Sequence, residues 1–122
     1  MSSVTTELPP IVAEHIAAIN AFDADGIIKT FVDDAIVNDA QREVRGAEAI
    51  RKLIDNEFIR FKVTMEVREV TDHYGDIIVR AKYDGTFPRG TMPDPVIMTN
   101  YFSIRDGKIT NLAIILDMPS PY

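Results

Sequence analysis

The apolar residues in the first half of the chain recur at helical spacing. One helix is predicted after Pro9 and Pro10, which suit a helix entry, and its apolar face carries Ile11, Val12, His15, Ile16, Ile19 and Phe22. A short second helix, which Asp23 or Asp25 can cap, carries Ile27, Ile28, Phe31 and Val32. The pattern breaks at the following aspartates, residues 33 and 34, so we expect two helices before the first strand.

A brief strand and a third helix come next. The strand is predicted over residues 35–38, where an apolar run ends in Asn38 and Asp39. The third helix follows Gly46, and its shared apolar face consists of Ile50, Leu53, Ile54 and Phe58. The opposite face, which we expect to be exposed to solvent, carries Arg51, Lys52 and Asp55.

From about residue 61 the period changes from helical to alternating. The first strand of this half carries Val63, Met65 and Val67, and the buried side of the next carries Ile77, Val79, Ala81 and Tyr83. Strands 96–104 and 109–116 flank a two-residue hairpin predicted at Asp106-Gly107. Helices followed by antiparallel strands indicate an α+β fold. We expect three N-terminal helices packed in the concave face of a curved, mainly antiparallel sheet, a cone-shaped α+β barrel.

The last two strands are apolar on both faces, whereas a strand buried on one face should alternate. One face can pack on the helices. We expect the outer face to form a homodimer, because no residues remain for a second layer. If Asn100 faces inward, the outward residues are Thr99, Tyr101 and Ser103 on one strand and Asn111, Ala113 and Ile115 on the other.

Composition narrows the classes of function. The 122 residues suit one domain, 1–122, and a hydrophobic content of 46% supports a real core. The absence of cysteine excludes disulfides and thiolate chemistry and is compatible with a cytoplasmic location. A formal charge of −6 with scattered basic residues argues against nucleic acid, and the two histidines argue against a metal site. Neither a secretory signal nor a membrane-spanning stretch is predicted.

Two polar residues stand out within this apolar pattern. Asp39 ends a buried strand, and His15 interrupts the stripe of the helix that should cover it. A carboxylate and an imidazole in an apolar pocket suit proton transfer. Each also has a structural explanation, because Asp39 can belong to a polar loop and His15 can be a satisfied core residue. Enclosure would raise the pKa of Asp39, whereas pairing with Arg42 or Arg45 would lower it.

Two regions of the chain resemble a known group. The run FVDDAIVND at 31–39, with RGAEAI at 45–50, resembles the signature of SnoaL-like and ketosteroid-isomerase-like members of the nuclear-transport-factor-2-like superfamily. The run YFSIRDGKI at 101–109 resembles their penultimate hairpin, and the order of elements matches over roughly residues 10–117. The resemblance implies the cone-shaped fold. It leaves the activity open, since this scaffold hosts isomerases, cyclases, dehydratases, epoxide hydrolases and binding modules.

The resemblance also implies catalytic roles for three residues. Asp39 falls where ketosteroid isomerases keep the aspartate that abstracts a proton next to a carbonyl. His15 falls where they keep a tyrosine that donates to the oxyanion, and Asn100 where they keep a protonated aspartic acid as second donor. Asn100 would donate from a neutral amide at any pH, and could instead satisfy a neighbouring loop. His15 could equally act as a base, as some dehydratases of the superfamily pair a histidine with an aspartate.

The inward faces of the helices and strands give a predicted cavity lining. It consists of Phe22, Met65, Val79, Tyr83, Met98, Phe102, Leu112, Ile114 and Leu116. Each of these side chains could instead be ordinary core. The loop 88–95 could form a lid at the cavity mouth or serve only as a connection.

These observations lead to one hypothesis about function and two alternatives. We expect an isomerase, cyclase or dehydratase that transfers protons on a compact, mainly apolar carbonyl or hydroxyl metabolite without metal or organic cofactor. A non-catalytic ligand-binding or dimerisation module would instead have Asp39 exposed or locked to an arginine, with His15 buried and satisfied. Epoxide hydrolysis by an aspartate–arginine–aspartate set is weaker, because Arg80 alternates outward and the pattern reveals no second inward-facing acid.

Overall fold

The computed structural model describes residues 8–39, 42–90 and 92–117. Its helices are α1 Pro10–Asn20, α2 Ala24–Ile28 and α3 Ala47–Leu53, and α3 continues as a π-helical segment over Ile54–Ile59. Its strands are β1 Phe31–Asp39, β2 Arg42–Arg45, β3 Thr64–His73, β4 Asp76–Asp84, β5 Ile97–Arg105 and β6 Lys108–Leu116. Among the described residues, no helix has both the length and the apolar character that crossing a membrane requires.

The strands form one curved, unclosed sheet in the order β2-β1-β6-β5-β4-β3. Among the strands of the described residues, only the pairing of β1 with β6 is parallel, and the other neighbouring strands are antiparallel. The three helices pack against this sheet, so the predicted α+β cone fold is confirmed. The sheet is long enough to curve around the helices because four of its strands each span nine or ten residues in succession along the chain.

The core lies between the helices and the concave face of the sheet. Helix α1 contributes Val12, Ile16 and Ile19, which belong to the same buried cluster as Phe102 and Leu112 from the strands. Apolar contacts of this kind supply most of the stability of an amphipathic helix.

A side-chain clamp fixes the end of α1 to the start of β3. Asn20 donates from Nδ2 to the Met65 carbonyl at 3.1 Å and accepts from the Met65 backbone N–H at 2.7 Å. The amide therefore satisfies both polar groups of one strand residue.

Several predicted elements are confirmed. Asp23 caps α2 by accepting from the Gly26 N–H at 3.0 Å, and residues 106 and 107 form the turn between β5 and β6. The predicted inner face of α3 is buried throughout. On β5 and β6 the alternation is also as predicted, since Phe102 and Ile114 are buried while Tyr101 and Ile115 are 41% and 53% exposed.

The beginning of the sheet differs from the prediction. Phe31 and Val32 belong to β1 rather than to the second helix, and β1 reaches Asp39 instead of spanning only 35–38. A long-range pairing explains the difference, because Phe31 pairs with Ile109 on β6 before a register shift that precedes Ile36. The aspartates at 33 and 34 are exposed within this irregular stretch, so they do not end the element.

The strand β2 was not predicted at all. It is short and mostly polar, and it pairs antiparallel with β1, with Arg42 opposite Asp39 and Arg45 opposite Ile36. An edge strand with charged side chains has no clear alternation of apolar and polar residues, so its pattern resembles a loop. Its position places Arg42 beside the end of β1.

Candidate functional site

A cleft of about 380 Å³ opens beside the end of β1, between the π-helical segment and the loop that follows β4. We call it the outer cleft. Its lining residues are Asp39, Arg42, Glu57, Phe58, Phe61, Val63, Tyr83, Phe87, Pro88, Met92 and Met98. Aromatic and aliphatic side chains form most of its walls, and a few polar groups converge on it. This combination and this volume are typical of small-molecule sites.

Asp39 is the buried acid of the outer cleft. It is the last residue of β1 and lies between Arg42 of β2 and Ile114 of β6 in the sheet register. Its side chain is only 16% exposed. Burial raises the pKa of the Asp39 carboxyl, and the positive charge of Arg42 opposes this shift without reversing it. The negative charge of Glu57 raises the pKa further.

Arg42 does not form a hydrogen bond with Asp39. Its Nη2 donates to Oε1 of Glu57 at 2.8 Å, whereas the distance from Nη2 to Oδ2 of Asp39 is 3.8 Å. Within residues 8–39, 42–90 and 92–117, no side chain or backbone group donates a hydrogen bond to the Asp39 carboxylate. The carboxylate is therefore enclosed but remains able to accept a proton or a hydrogen bond from a ligand.

Tyr83 and Asn100 form a buried pair behind the cleft. The Tyr83 hydroxyl donates to Oδ1 of Asn100 at 2.5 Å. Asn100 in turn donates from Nδ2 to the carbonyl oxygens of Val79 at 3.1 Å and Met98 at 3.3 Å. Burial raises the pKa of Tyr83 far above its usual range, and the charge of Asp39 adds to the shift. The phenol is therefore protonated at any ordinary pH.

A second cavity of about 20 Å³ lies deeper in the core, and we call it the inner cavity. Its lining residues are His15, Ile19, Ile27, Phe31, Val37, Ile50, Leu53, Ile54, Phe58, Leu112 and Ile114. Phe58 lines both cavities, so its ring lies between them. A space of this size holds about one water molecule.

The hydrogen bonds around His15 identify its tautomer. Nδ1 of His15 lies 3.0 Å from the Thr30 hydroxyl, which donates its single hydrogen to the Ile27 carbonyl at 2.6 Å. Nδ1 must therefore carry the hydrogen, and Nε2 carries a lone pair. Burial lowers the pKa of His15 from 6.5 to about 4, so the imidazole is neutral at pH 7.

The structure places the three predicted catalytic residues in three different locations. Asp39 lines the outer cleft, His15 lines the inner cavity, and Asn100 lies behind Tyr83. In this arrangement both amide hydrogens of Asn100 go to backbone carbonyls, and neutral His15 has no hydrogen on Nε2. The donor roles predicted for these two residues would need a change of partner or of tautomer, and they stay predictions.

The predicted lining residues are also divided. Tyr83 and Met98 line the outer cleft, while Leu112 and Ile114 line the inner cavity. The remaining residues line neither cavity: Phe22, Met65, Val79, Phe102 and Leu116. Phe22 is 40% exposed at the end of α1, where its ring faces the Lys62 ammonium rather than a pocket.

Several residues of the outer cleft were missed by the sequence reasoning. The sequence indicates Arg42 only as a possible partner of Asp39, and no pattern in it points to Glu57. Phe58 lies on the predicted apolar face of the third helix, and its neighbour Glu57 lines the cleft from within the π-helical segment. Phe87, Pro88 and Met92 come from the predicted loop 88–95 and its edge, which forms a wall of the cleft. In the described part of the chain, no group of three or more His, Asp or Glu side chains is placed to hold a metal ion.

Comparisons with known proteins agree with this architecture. A model of the SnoaL-like domain family matches residues 12–112. A candidate polyketide cyclase from Sinorhizobium meliloti is 34% identical, over 88% of this chain and 94% of that one, with a TM-score of 0.79.

Two more distant structures share the fold. SalBIII, an epoxide hydrolase/cyclase-like enzyme of pyran ring formation in the polyether salinomycin, is 21% identical over 88% of each chain, with a TM-score of 0.72. A protein with a ketosteroid-isomerase-like fold from Catenulispora acidiphila, in complex with trimethylamine, is 19% identical. That match covers 88% of this chain and 85% of the other, with a TM-score of 0.75.

Proposed function

Because the chain belongs to the SnoaL-like domain family, we propose that its outer cleft is an active site in which Asp39 transfers a proton. The substrate is a compact, mainly apolar molecule that carries a carbonyl or a hydroxyl group. The reaction is an isomerisation, cyclisation or dehydration, and it uses neither a metal nor an organic cofactor. The similarity to a candidate polyketide cyclase supports this class of reaction.

The environment of Asp39 carries the proposal. A carboxylate that is 16% exposed within apolar walls has a raised pKa, which makes it a stronger base than an exposed aspartate. Titratable groups with such perturbed pKa values in a cleft are candidates for acid–base catalysis. A positioned general base contributes roughly 10²–10⁴-fold to a rate.

The main alternative is a non-catalytic binding module. That function predicts an Asp39 that is exposed or locked to an arginine, together with a buried and satisfied His15. The 3.8 Å separation from Arg42 and the burial of the carboxylate argue for an enzyme, whereas the Thr30 partner of His15 fits either function. The surroundings of Asp39 therefore favour the enzyme over the binding module.

A second candidate reaction is the hydrolysis of an epoxide. The sequence pattern offered no inward-facing arginine or second acid for it, but Arg42 and Glu57 line the same cleft as Asp39. One carboxylate would take a proton from the attacking water, and the other group, as a carboxylic acid, would give a proton to the epoxide oxygen. The product would be a diol, and the two protons balance.

We also propose a homodimer through the outer face of the sheet, in a cytoplasmic protein. Tyr101 and Ile115 are exposed on this face, and the pairing of β5 with β6 places Tyr101 opposite Ala113 and Thr99 opposite Ile115. These side chains form a continuous, partly apolar surface at the centre of the sheet. Light scattering of the wild type should give twice the monomer mass, and Ile115→Lys should shift it toward the monomer.

The catalytic proposal is tested by turnover of a substrate panel. Enones, hydroxyketones and epoxides would be screened with the wild type, and the active compound compared with Asp39→Asn. The variant should lose about 10²–10⁴-fold in kcat/KM. It should keep its stability at pH 7, because burial disfavours the charged form of Asp39. The control is Asp33→Asn on the same strand, whose side chain is exposed. An Asp39→Asn variant with the wild-type rate would contradict the proposal.

A further inference from the structure

We propose that the buried end of the outer cleft binds a hydroxyl group rather than a carbonyl oxygen, with Tyr83 as a hydrogen-bond acceptor that Asn100 positions. The inference rests on the proposed function, because it names the substrate class of the same site. The proposed function leaves open whether the substrate carries a carbonyl or a hydroxyl group, and this inference selects the hydroxyl group.

The orientation of the Asn100 amide is fixed by two backbone carbonyls. Its Nδ2 lies 3.1 Å from the Val79 carbonyl oxygen and 3.3 Å from the Met98 carbonyl oxygen. A flipped amide would place Oδ1 against these two oxygens, with no hydrogen between any of the three atoms. The strand backbone therefore fixes Oδ1 toward Tyr83, and Oδ1 can only accept.

The Tyr83 hydroxyl has a single hydrogen, and this hydrogen is already used. It is donated to Oδ1 of Asn100 over 2.5 Å, and a phenol has no other hydrogen to give. What the Tyr83 oxygen retains for a further partner is a lone pair. Tyr83 lines the cleft together with Asp39, and both side chains are less exposed than Arg42 and Glu57, so we take the part of the cleft that they line as its buried end. Both of them accept hydrogen bonds.

The other polar residues that line the cleft add no hydrogen-bond donor at its buried end. Glu57 is a carboxylate and accepts as well, and Arg42 is the one cation among the described lining residues. Arg42 is 55% exposed at the mouth of the cleft, and its Nη2 is already bonded to Glu57. A ligand hydroxyl at the buried end can therefore donate, whereas a carbonyl oxygen there would meet only acceptors and would lose its bonds to water.

A pair of molecules that differ only in this group makes the test direct. The bicyclic alcohol 1-tetralol and the ketone 1-tetralone have nearly the same size and apolar surface, and both suit a cleft of about 380 Å³. Dissociation constants would be measured by NMR titration of the wild-type protein. We expect the alcohol to bind about tenfold more tightly, which corresponds to one additional hydrogen bond.

Two variants separate the roles of the buried pair. Tyr83→Phe removes the acceptor and should reduce the preference for the alcohol. Asn100→Leu releases the Tyr83 hydrogen, so the ketone should gain affinity relative to the alcohol, an effect that general loosening of the cleft would not produce. The control is Tyr101→Phe, which alters an exposed tyrosine on the outer face of the same sheet and should keep the wild-type ratio.

A wild-type protein that binds the ketone as tightly as the alcohol, or that binds neither at millimolar concentration, would overturn the inference. Equal loss of both affinities in Asn100→Leu would overturn the positioning role. These measurements need no turnover, so they can fail while Asp39→Asn still abolishes activity. Conversely, a full alcohol preference with an unaffected Asp39→Asn rate would remove the catalytic proposal alone.

Discussion

The outer cleft and the inner cavity share the ring of Phe58 and differ in almost everything else. Burial favours the neutral form of Asp39 beside the cleft and of His15 beside the cavity, so the pKa of Asp39 rises and that of His15 falls to about 4. Asp39 borders a cleft of about 380 Å³ and has no hydrogen-bond donor among the described residues. His15 borders about 20 Å³ and is tied to Thr30.

The difference shows that burial alone does not mark a catalytic group. A shifted pKa becomes useful for catalysis when the group also has space for a ligand and an unused lone pair or proton facing it. By this criterion Asp39 meets the requirements of the proposed active site. His15 is neutral in its present surroundings, and its hydrogen bond to Thr30 supports the end of α2.

The largest expected effect comes from removing the wall between the two cavities. Phe58→Ala should cost about 3–5 kcal/mol of unfolding free energy, because a buried aromatic ring is lost. It should also admit water to the inner cavity and raise the pKa of His15 from about 4 toward 6.5. Chemical denaturation and a histidine NMR titration measure the two effects. The control is Phe61→Ala, which changes a wall of the outer cleft alone, and an unchanged His15 pKa in Phe58→Ala would show that the cavities stay separate.

The second prediction concerns the pH dependence of stability. Between pH 6.5 and about 4 the unfolded chain protonates His15 while the folded chain does not, so this residue costs stability as the pH falls through that window. The loss is about 3 kcal/mol. The His15→Leu variant should lack this loss when its unfolding free energies at pH 7 and pH 4 are compared. The control is His73→Leu, which removes an exposed histidine at the end of β3. Identical pH dependence in His15→Leu and the wild type would refute the buried neutral imidazole.

The smallest expected effect sharpens the description of Asp39. Arg42→Met removes the cation that holds the Asp39 pKa down, so this pKa should rise. The acid limb of the pH profile of kcat/KM should move upward with it. Stability should change by less than about 1 kcal/mol, because the ion pair is exposed. Arg45→Met, an exposed arginine of the same strand, serves as control. A downward shift in Arg42→Met would mean that Arg42 acts on Asp39 in some other way.

Local patterns predicted the parts of the fold that depend on neighbours in the sequence. The turn at Asp106-Gly107, the cap at Asp23 and the buried face of α3 all follow from residues a few positions apart. The start of β1 does not, because Phe31 and Val32 fit a short helical period equally well. Their conformation is decided by the parallel pairing with β6, more than seventy positions away in the chain.

The same limit applies to the candidate site. The end of a buried apolar run identified Asp39, and the period of two placed Tyr83 on the buried side of its strand, whereas Asn100 was indicated by the resemblance. No periodicity could show that Asn100 accepts the hydrogen of Tyr83, because that depends on which backbone carbonyls surround its amide. Likewise, the contact of Arg42 with Glu57 joins an unpredicted edge strand to a π-helical turn.

The most direct test is the pKa of the Asp39 carboxyl, measured by carbon-detected NMR titration with Asp39→Asn to assign the signal. A value clearly above the ordinary 3.8 would support an enclosed base that Arg42 does not lock. A value at or below 3.8 would mean that Asp39 is solvated or paired in solution, and the outer cleft would then lack the acid–base group on which the proposed function depends.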